Sequence, residues 1–199
     1  DVDTSLTVMF NRPVVPLVHS SQTAALASPL RIEPAIDGTG EWLNTSIYVF
    51  RPAVVWAAGT QYRVTIPAGL QDLTGGVLAE DYQWSFTTQG PQVTWSQPAD
   101  GDTGIRLTSA ISITFNQPMD RASTEAAFQI AADGGRTPPG RFTWNETGTE
   151  LAWVPAANLS LDTRYLWTLG TTARAAAGGA TLEDGVSAGF WTVPYPALL

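Results

Sequence analysis

Cysteine is absent from the 199 residues, which removes disulfides, thiolate metal centres, thiol nucleophiles and iron–sulfur clusters together. Lysine is missing as well, since all ten basic residues are arginines, so no Schiff-base amine and no phosphate-loop lysine is available. Charge is scarce at 14%, and the net charge of −8 leaves no basic face for a phosphate backbone. No nucleic-acid partner is therefore expected. No apolar run approaches the roughly 18 residues of a membrane helix, so no membrane insertion is expected. What the chain does have is 44% hydrophobic residues, eight Trp, 18 Gly and 14 Pro. That is ample material for a core, punctuated by turns, and it argues against a helical bundle.

An internal repeat organises this material. Leu6-Thr-Val-Met-Phe10-Asn11-Arg-Pro13 returns as Ile111-Ser-Ile-Thr-Phe115-Asn116-Gln-Pro118. Tyr48-Val-Phe50-Arg-Pro52 returns as Leu151-Ala-Trp153-Val-Pro155, and Thr60-Gln-Tyr62 returns as Thr163-Arg-Tyr165. Phe86-Thr-Thr88 returns as Phe190-Trp-Thr192. Two domains of one kind follow, 1–89 and 90–199, joined at the short turn-prone Gln89-Gly90-Pro91. The second copy opens with Val93-Thr-Trp95-Ser-Gln-Pro98, a strand that the first copy lacks, so a first strand is expected to lie upstream of residue 1.

The periodicity is two. Ile111, Ile113 and Phe115 alternate with Ser112 and Thr114; Tyr165, Trp167 and Leu169 alternate with Leu166 and Thr168. Such alternation marks half-buried strands. With turn signals every few residues, the expectation is an all-β chain of two tandem antiparallel β-sandwich domains. Thr60-x-Tyr62 and Thr163-x-Tyr165 sit where a sandwich places a tyrosine corner. A single helical turn is expected over 120–128, capped by Asp120 or Ser123. Trp42, Trp144, Trp153 and Trp84 are assigned to the core by their place in the repeat.

The run Ile113-Thr-Phe115-Asn116-Gln-Pro118-Met119-Asp120, followed by Phe128-x-Ile130, a Trp hairpin and Leu159-x-x-x-Thr163-x-Tyr165, resembles the bacterial Ig-like repeats of S-layer proteins and adhesins. Copy one departs from the pattern, with Pro13-Val14-Val15 in place of Pro-Met-Asp. Asn11-Arg-Pro-Val-Val-Pro-Leu17 and Gly40-Glu-Trp42 through Phe50 are similar to the Ig-like region of bacterial alpha-2-macroglobulin-like proteins, which are large exported protease traps. The resemblance implies two tandem Ig-like antiparallel β-sandwich domains and a bacterial extracellular, periplasmic or cell-surface location. It also implies neighbouring domains of the same polypeptide as partners, and proteases met through the parent protein. Neither bait segment nor thioester is implied here, since the thioester needs a cysteine. The same repeats would also suit a surface adhesin or S-layer stalk, or a carbohydrate-binding accessory module.

Catalytic equipment is thin. Gly185-Val-Ser187-Ala-Gly189 matches the nucleophile-elbow pattern, which needs a strand–turn–helix setting and a later histidine. The segment instead leads into a strand, and His19, the single histidine, lies far upstream in a polar loop. No catalytic residue is expected and the chain is read as non-enzymatic. Asp100-Gly-Asp102-Thr-Gly104 clusters carboxylates as calcium requires. Its spacing fails the EF-hand pattern, and a turn is the better reading. Asp100 and Asp102 are the candidate ligands for calcium, the one cofactor considered; Asp120 and Asp162 join only if the fold brings them close. Trp191 follows Phe190 and so should face outward, a candidate platform for a sugar or partner. In the hairpin from Trp42 to Phe50, core parity leaves Leu43, Ile47 and Val49 on the opposite face. Together with Trp191 they are the interface candidates, because an outer apolar strip marks contact.

Overall fold

A computed structural model describes residues 4–17, 19 and 26–196. The chain divides into two compact units, Asp1–Gln89 and Gly90–Leu199. In the first, β1 (Leu6–Met9), β3 (Gly38–Trp42) and β4 (Ile47–Pro52) form a sheet of order β1-β4-β3. Its partner sheet is β2-β5-β6, from Arg31–Glu33, Gln61–Ile66 and Tyr82–Thr87.

The second unit repeats the plan. Strands β7 (Val93–Gln97), β8 (Ile111–Phe115), β10 (Gly140–Trp144) and β11 (Glu150–Pro155) make the sheet β10-β11-β8-β7. Strands β9 (Phe128–Ala132), β12 (Arg164–Leu169) and β13 (Val186–Trp191) make β13-β12-β9. Every strand pair is antiparallel. The registers repeat too: Leu6 faces Phe50 as Ile111 faces Trp153, and Trp42 faces Tyr48 as Trp144 faces Leu151.

Alternation places the core as the pattern requires. Ile111, Ile113 and Phe115 are all buried, as are Tyr165, Trp167 and Leu169, while Leu166 between them is exposed. Equivalent rings make equivalent contacts. Tyr62 stacks on Phe86 with centroids 5.5 Å apart, and Tyr165 on Phe190 at 5.7 Å. Phe10 stacks on Trp42 and Phe115 on Trp144. Trp56 fills in the first unit the place of Leu159 in the second; both are buried, and the indole N–H finds the Thr4 carbonyl at 2.7 Å.

Helix α1 (Arg121–Ala127) is the short helix expected before β9. Asp120 is its cap: the carboxylate accepts the Ser123 N–H at 2.8 Å, which with further Ser123 contact holds its pKa below the ordinary value. Among the described residues the first unit has no counterpart of α1. Trp84 differs from its assignment as a core residue, being only half-buried. Its strand β6 is the edge of its sheet, and the ring borders a cavity of about 490 Å³ beside Leu6, Trp56 and Phe86. Trp144, on the edge strand β10, is likewise half-buried.

Candidate functional site

The best-ordered polar chemistry of the chain closes its loops. In the second unit the Ser160 N–H donates to the Tyr165 hydroxyl at 3.0 Å. The buried Thr192 hydroxyl accepts the Thr163 N–H at 3.0 Å and donates to the Ser160 carbonyl at 2.7 Å. The first unit repeats this with Ala57 N–H on Tyr62, Thr60 N–H on Thr88, and Thr88 on the Ala57 carbonyl. The tyrosine corner is thus a tyrosine–threonine pair. The threonine half was visible in the sequence only as the matched positions Thr88 and Thr192.

Asp100 and Asp102 also serve the backbone. Asp100 accepts the Gly189 N–H at 2.8 Å and Asp102 the Ala99 N–H at 2.8 Å, while Gly101 N–H reaches the Gly189 carbonyl. Together these tie the turn to β13. Among the described residues no group of three or more His, Asp or Glu is placed to hold a metal. The fold therefore does not gather Asp120 and Asp162 with the two calcium candidates. Gly185 through Gly189 enters β13 as a plain strand with no elbow, and His19 belongs to the other unit.

A carboxylate that sequence reasoning missed organises the loop after β5. Asp72 accepts the N–H groups of Thr74 and Gly76 and the Thr74 hydroxyl, and Arg12 approaches at 3.4 Å. The Thr74 hydroxyl, then the Gly76 N–H, draws its pKa below the ordinary value. The run Asp72-x-Thr74-Gly75-Gly76 was the available signal.

The apolar strip of the first unit is corrected in part. Leu43 is 57% exposed at the hairpin tip and Ile47 is half-buried, but Val49 is 5% exposed and offers no contact surface. Val49 lies on the central strand, with Thr7 and Glu41 opposite it, and the Glu41–Arg51 ion pair shares its face. Met9, opposite Ile47 and 73% exposed, was missed and extends the strip instead. Trp191 does point outward, 41% exposed, in the second unit. Its main chain holds the Asp102–Ile105 turn, donating to the Asp102 carbonyl and accepting the Ile105 N–H.

The polar element that both units repeat, the tyrosine–threonine pair, bonds to their own backbone. A model of the bacterial Ig-like domain matches residues 1–88 and again 89–192. The chain belongs to the bacterial Ig-like domain family. Among curated proteins, an alpha-2-macroglobulin homolog of Nostoc sp. is 26% identical over 64% of the chain, and alpha-2-macroglobulin of Pasteurella multocida is 27% identical over 63%. The chain spans 7% of the length of either relative. Among solved structures, an L,D-transpeptidase from Mycobacterium smegmatis matches 52% of this chain and 40% of its own, with 24% identity and a TM-score of 0.39. The N-terminal part of the S-layer protein SbsC matches 54% of this chain and 24% of its own, with 20% identity and a TM-score of 0.38. These bacterial Ig-like units are tandem, and among the described residues no helix is long and apolar enough to cross a membrane.

Proposed function

We propose that the two Ig-like units are a non-catalytic spacer and interaction module of a large exported bacterial protein of the alpha-2-macroglobulin type. The observation that carries this reading is the similarity to two alpha-2-macroglobulin relatives over nearly two thirds of the chain. It is supported by the use of polar side chains, since Tyr62, Thr88, Asp100, Asp102, Tyr165 and Thr192 all bond to the chain's own backbone. The module's partners are neighbouring domains of the same polypeptide, with Leu43, Ile47 and Met9 as the contact strip. Its place is outside the cytoplasm, and proteases meet it only through the parent protein.

The test uses the native parent, captured from its own cells with antiserum against this chain and exposed to several unrelated proteases. Cleavage at one region, with faster mobility on native gels and retention of active protease, supports the trap. Gradual clipping into domain-sized ladders with no protease retained overturns it in favour of a repeat stalk.

A further inference from the structure

The outer face of the sheet β10-β11-β8-β7 carries a groove that plain alternation hides. Val93 and Trp95 are two residues apart and so would share a face. Val93 packs against the core, opposite Phe115. Between Val93 and Trp95, however, the register shifts: Trp95 pairs with Thr114, whose side chain faces away from the core. This bulge turns the indole outward, where it is 51% exposed, and bulges of this kind re-aim side chains at functional rims.

The residues beside the ring are chemically selective. Trp95, Thr114 and Glu150 stand in one cross-strand row, and Ser112, Ala152 and Thr143 stand in the next. They line a groove of about 360 Å³, within the usual range for small-ligand sites. Its floor is small and hydroxylated. Strand spacing sets the Trp95 and Glu150 backbones about 10 Å apart, the span of a disaccharide. Asn145 closes one end and is consumed by its turn, accepting the N–H groups of Thr149 and Glu150.

No arginine lines the groove, and Glu150 supplies its charge, so phosphates and acidic polysaccharides are disfavoured. Trp144 borders the groove as well, but a hydrophobic segment would have to lie over the hydroxyls of Ser112, Thr114 and Thr143 and the Glu150 carboxylate. A neutral saccharide presents both matching surfaces: a C–H face for the indole, and hydroxyls for Glu150, Thr114 and Ser112. The first unit keeps a hydroxyl at Thr7, the counterpart of Ser112, but is apolar at the other equivalent positions compared. Met9 stands for Thr114, Ile47 for Glu150 and Val49 for Ala152. We propose that the groove over Trp95 binds a neutral polysaccharide chain, the indole stacking on one sugar ring while the Glu150 carboxylate accepts hydroxyls of the next. The site is independent of the parent protein's identity.

Affinity electrophoresis of the whole chain through gels containing dextran, laminarin, xyloglucan or glycol chitin, with alginate as the acidic comparison, tests it. At least one neutral polymer should retard the chain, and oligosaccharides of that polymer should bind in calorimetry. Trp95→Ala should weaken binding at least about tenfold, as loss of a ring contact predicts. Thr143→Arg, at an exposed position on the groove floor, should abolish binding without touching the ring. Trp191→Ala, on another sheet, should leave binding unchanged. Retardation by alginate alone, by no polymer at all, or equally for wild type, Trp95→Ala and Thr143→Arg overturns the assignment.

Discussion

A single hydroxyl decides whether each loop before β5 or β12 is closed. Tyr165 is 3% exposed, and its oxygen is the acceptor for the Ser160 N–H. Replacing it by Phe removes the partner of the Ser160 N–H at a part-buried position, which costs about 1 kcal/mol. Thr192→Val should cost at least as much, because that hydroxyl serves both the Thr163 N–H and the Ser160 carbonyl. Chemical denaturation of the two variants measures both losses, with Tyr195→Phe as the exposed control that should stay within about 0.5 kcal/mol of wild type. A second residue-scale prediction concerns pH. Hydrogen bonds to Asp120 and Asp72 favour their ionised forms, lowering both below the ordinary 3.8. A lowered folded pKa means the unfolded chain binds more protons between the folded value and 3.8. The stabilisation is therefore complete above that range and fades as pH falls through the folded values. Asp120→Asn, which still caps a helix, should match wild type at neutral pH and lose less stability below pH 3.8. Melting curves across acid pH read the difference directly.

Strands were legible because alternation is a property of the backbone: Ile111, Ile113 and Phe115 point inward for the same reason that Ser112 and Thr114 do not. What alternation does not contain is irregularity and coverage. The bulge before Trp95 inverts the parity of one side chain, and only the pairing register reveals it. Val49 was read by parity as outward and is outward, yet it is buried because a central strand has neighbours on both sides. Edge strands err the other way, as half-buried Trp84 on β6 illustrates. Burial is thus a property of the sheet, not of the strand. A further element-scale consequence lies in β10, where Gly140 is required by the indole of Trp153: a Cβ there would meet the ring itself. Gly140→Ala should cost roughly 1–3 kcal/mol through the displaced ring. The same substitution at Gly170, where the added Cβ finds only ordinary contacts, should cost less; thermal melts of the two variants decide it.

At the scale of the molecule, the repeat is the strongest signal the chain offers, because two copies diverging in sequence while keeping the same core positions reveal which positions the fold constrains. The candidate site was far less legible, since the copies differ most on their outer faces. There Met9, Ile47 and Val49 of one unit answer Thr114, Glu150 and Ala152 of the other. The core follows the repeat, and what each unit presents outward is its own. Every strand of the second unit pairs within it, and its core cluster runs from Val93 to Phe190 without a residue of the first. At about 110 residues such a unit buries enough apolar surface to fold by itself. Expressed alone, Gly90–Leu199 should therefore unfold in one cooperative transition near that of the same unit in the full chain. In the full chain, Tyr62→Phe and Tyr165→Phe should destabilise different transitions and combine additively within about 0.5 kcal/mol, as independent sites do. Calorimetry of the isolated unit, the two single variants and the double variant checks all three expectations. An isolated unit that fails to fold, or a coupling well above that limit, would show that the two sandwiches share stability rather than each holding its own.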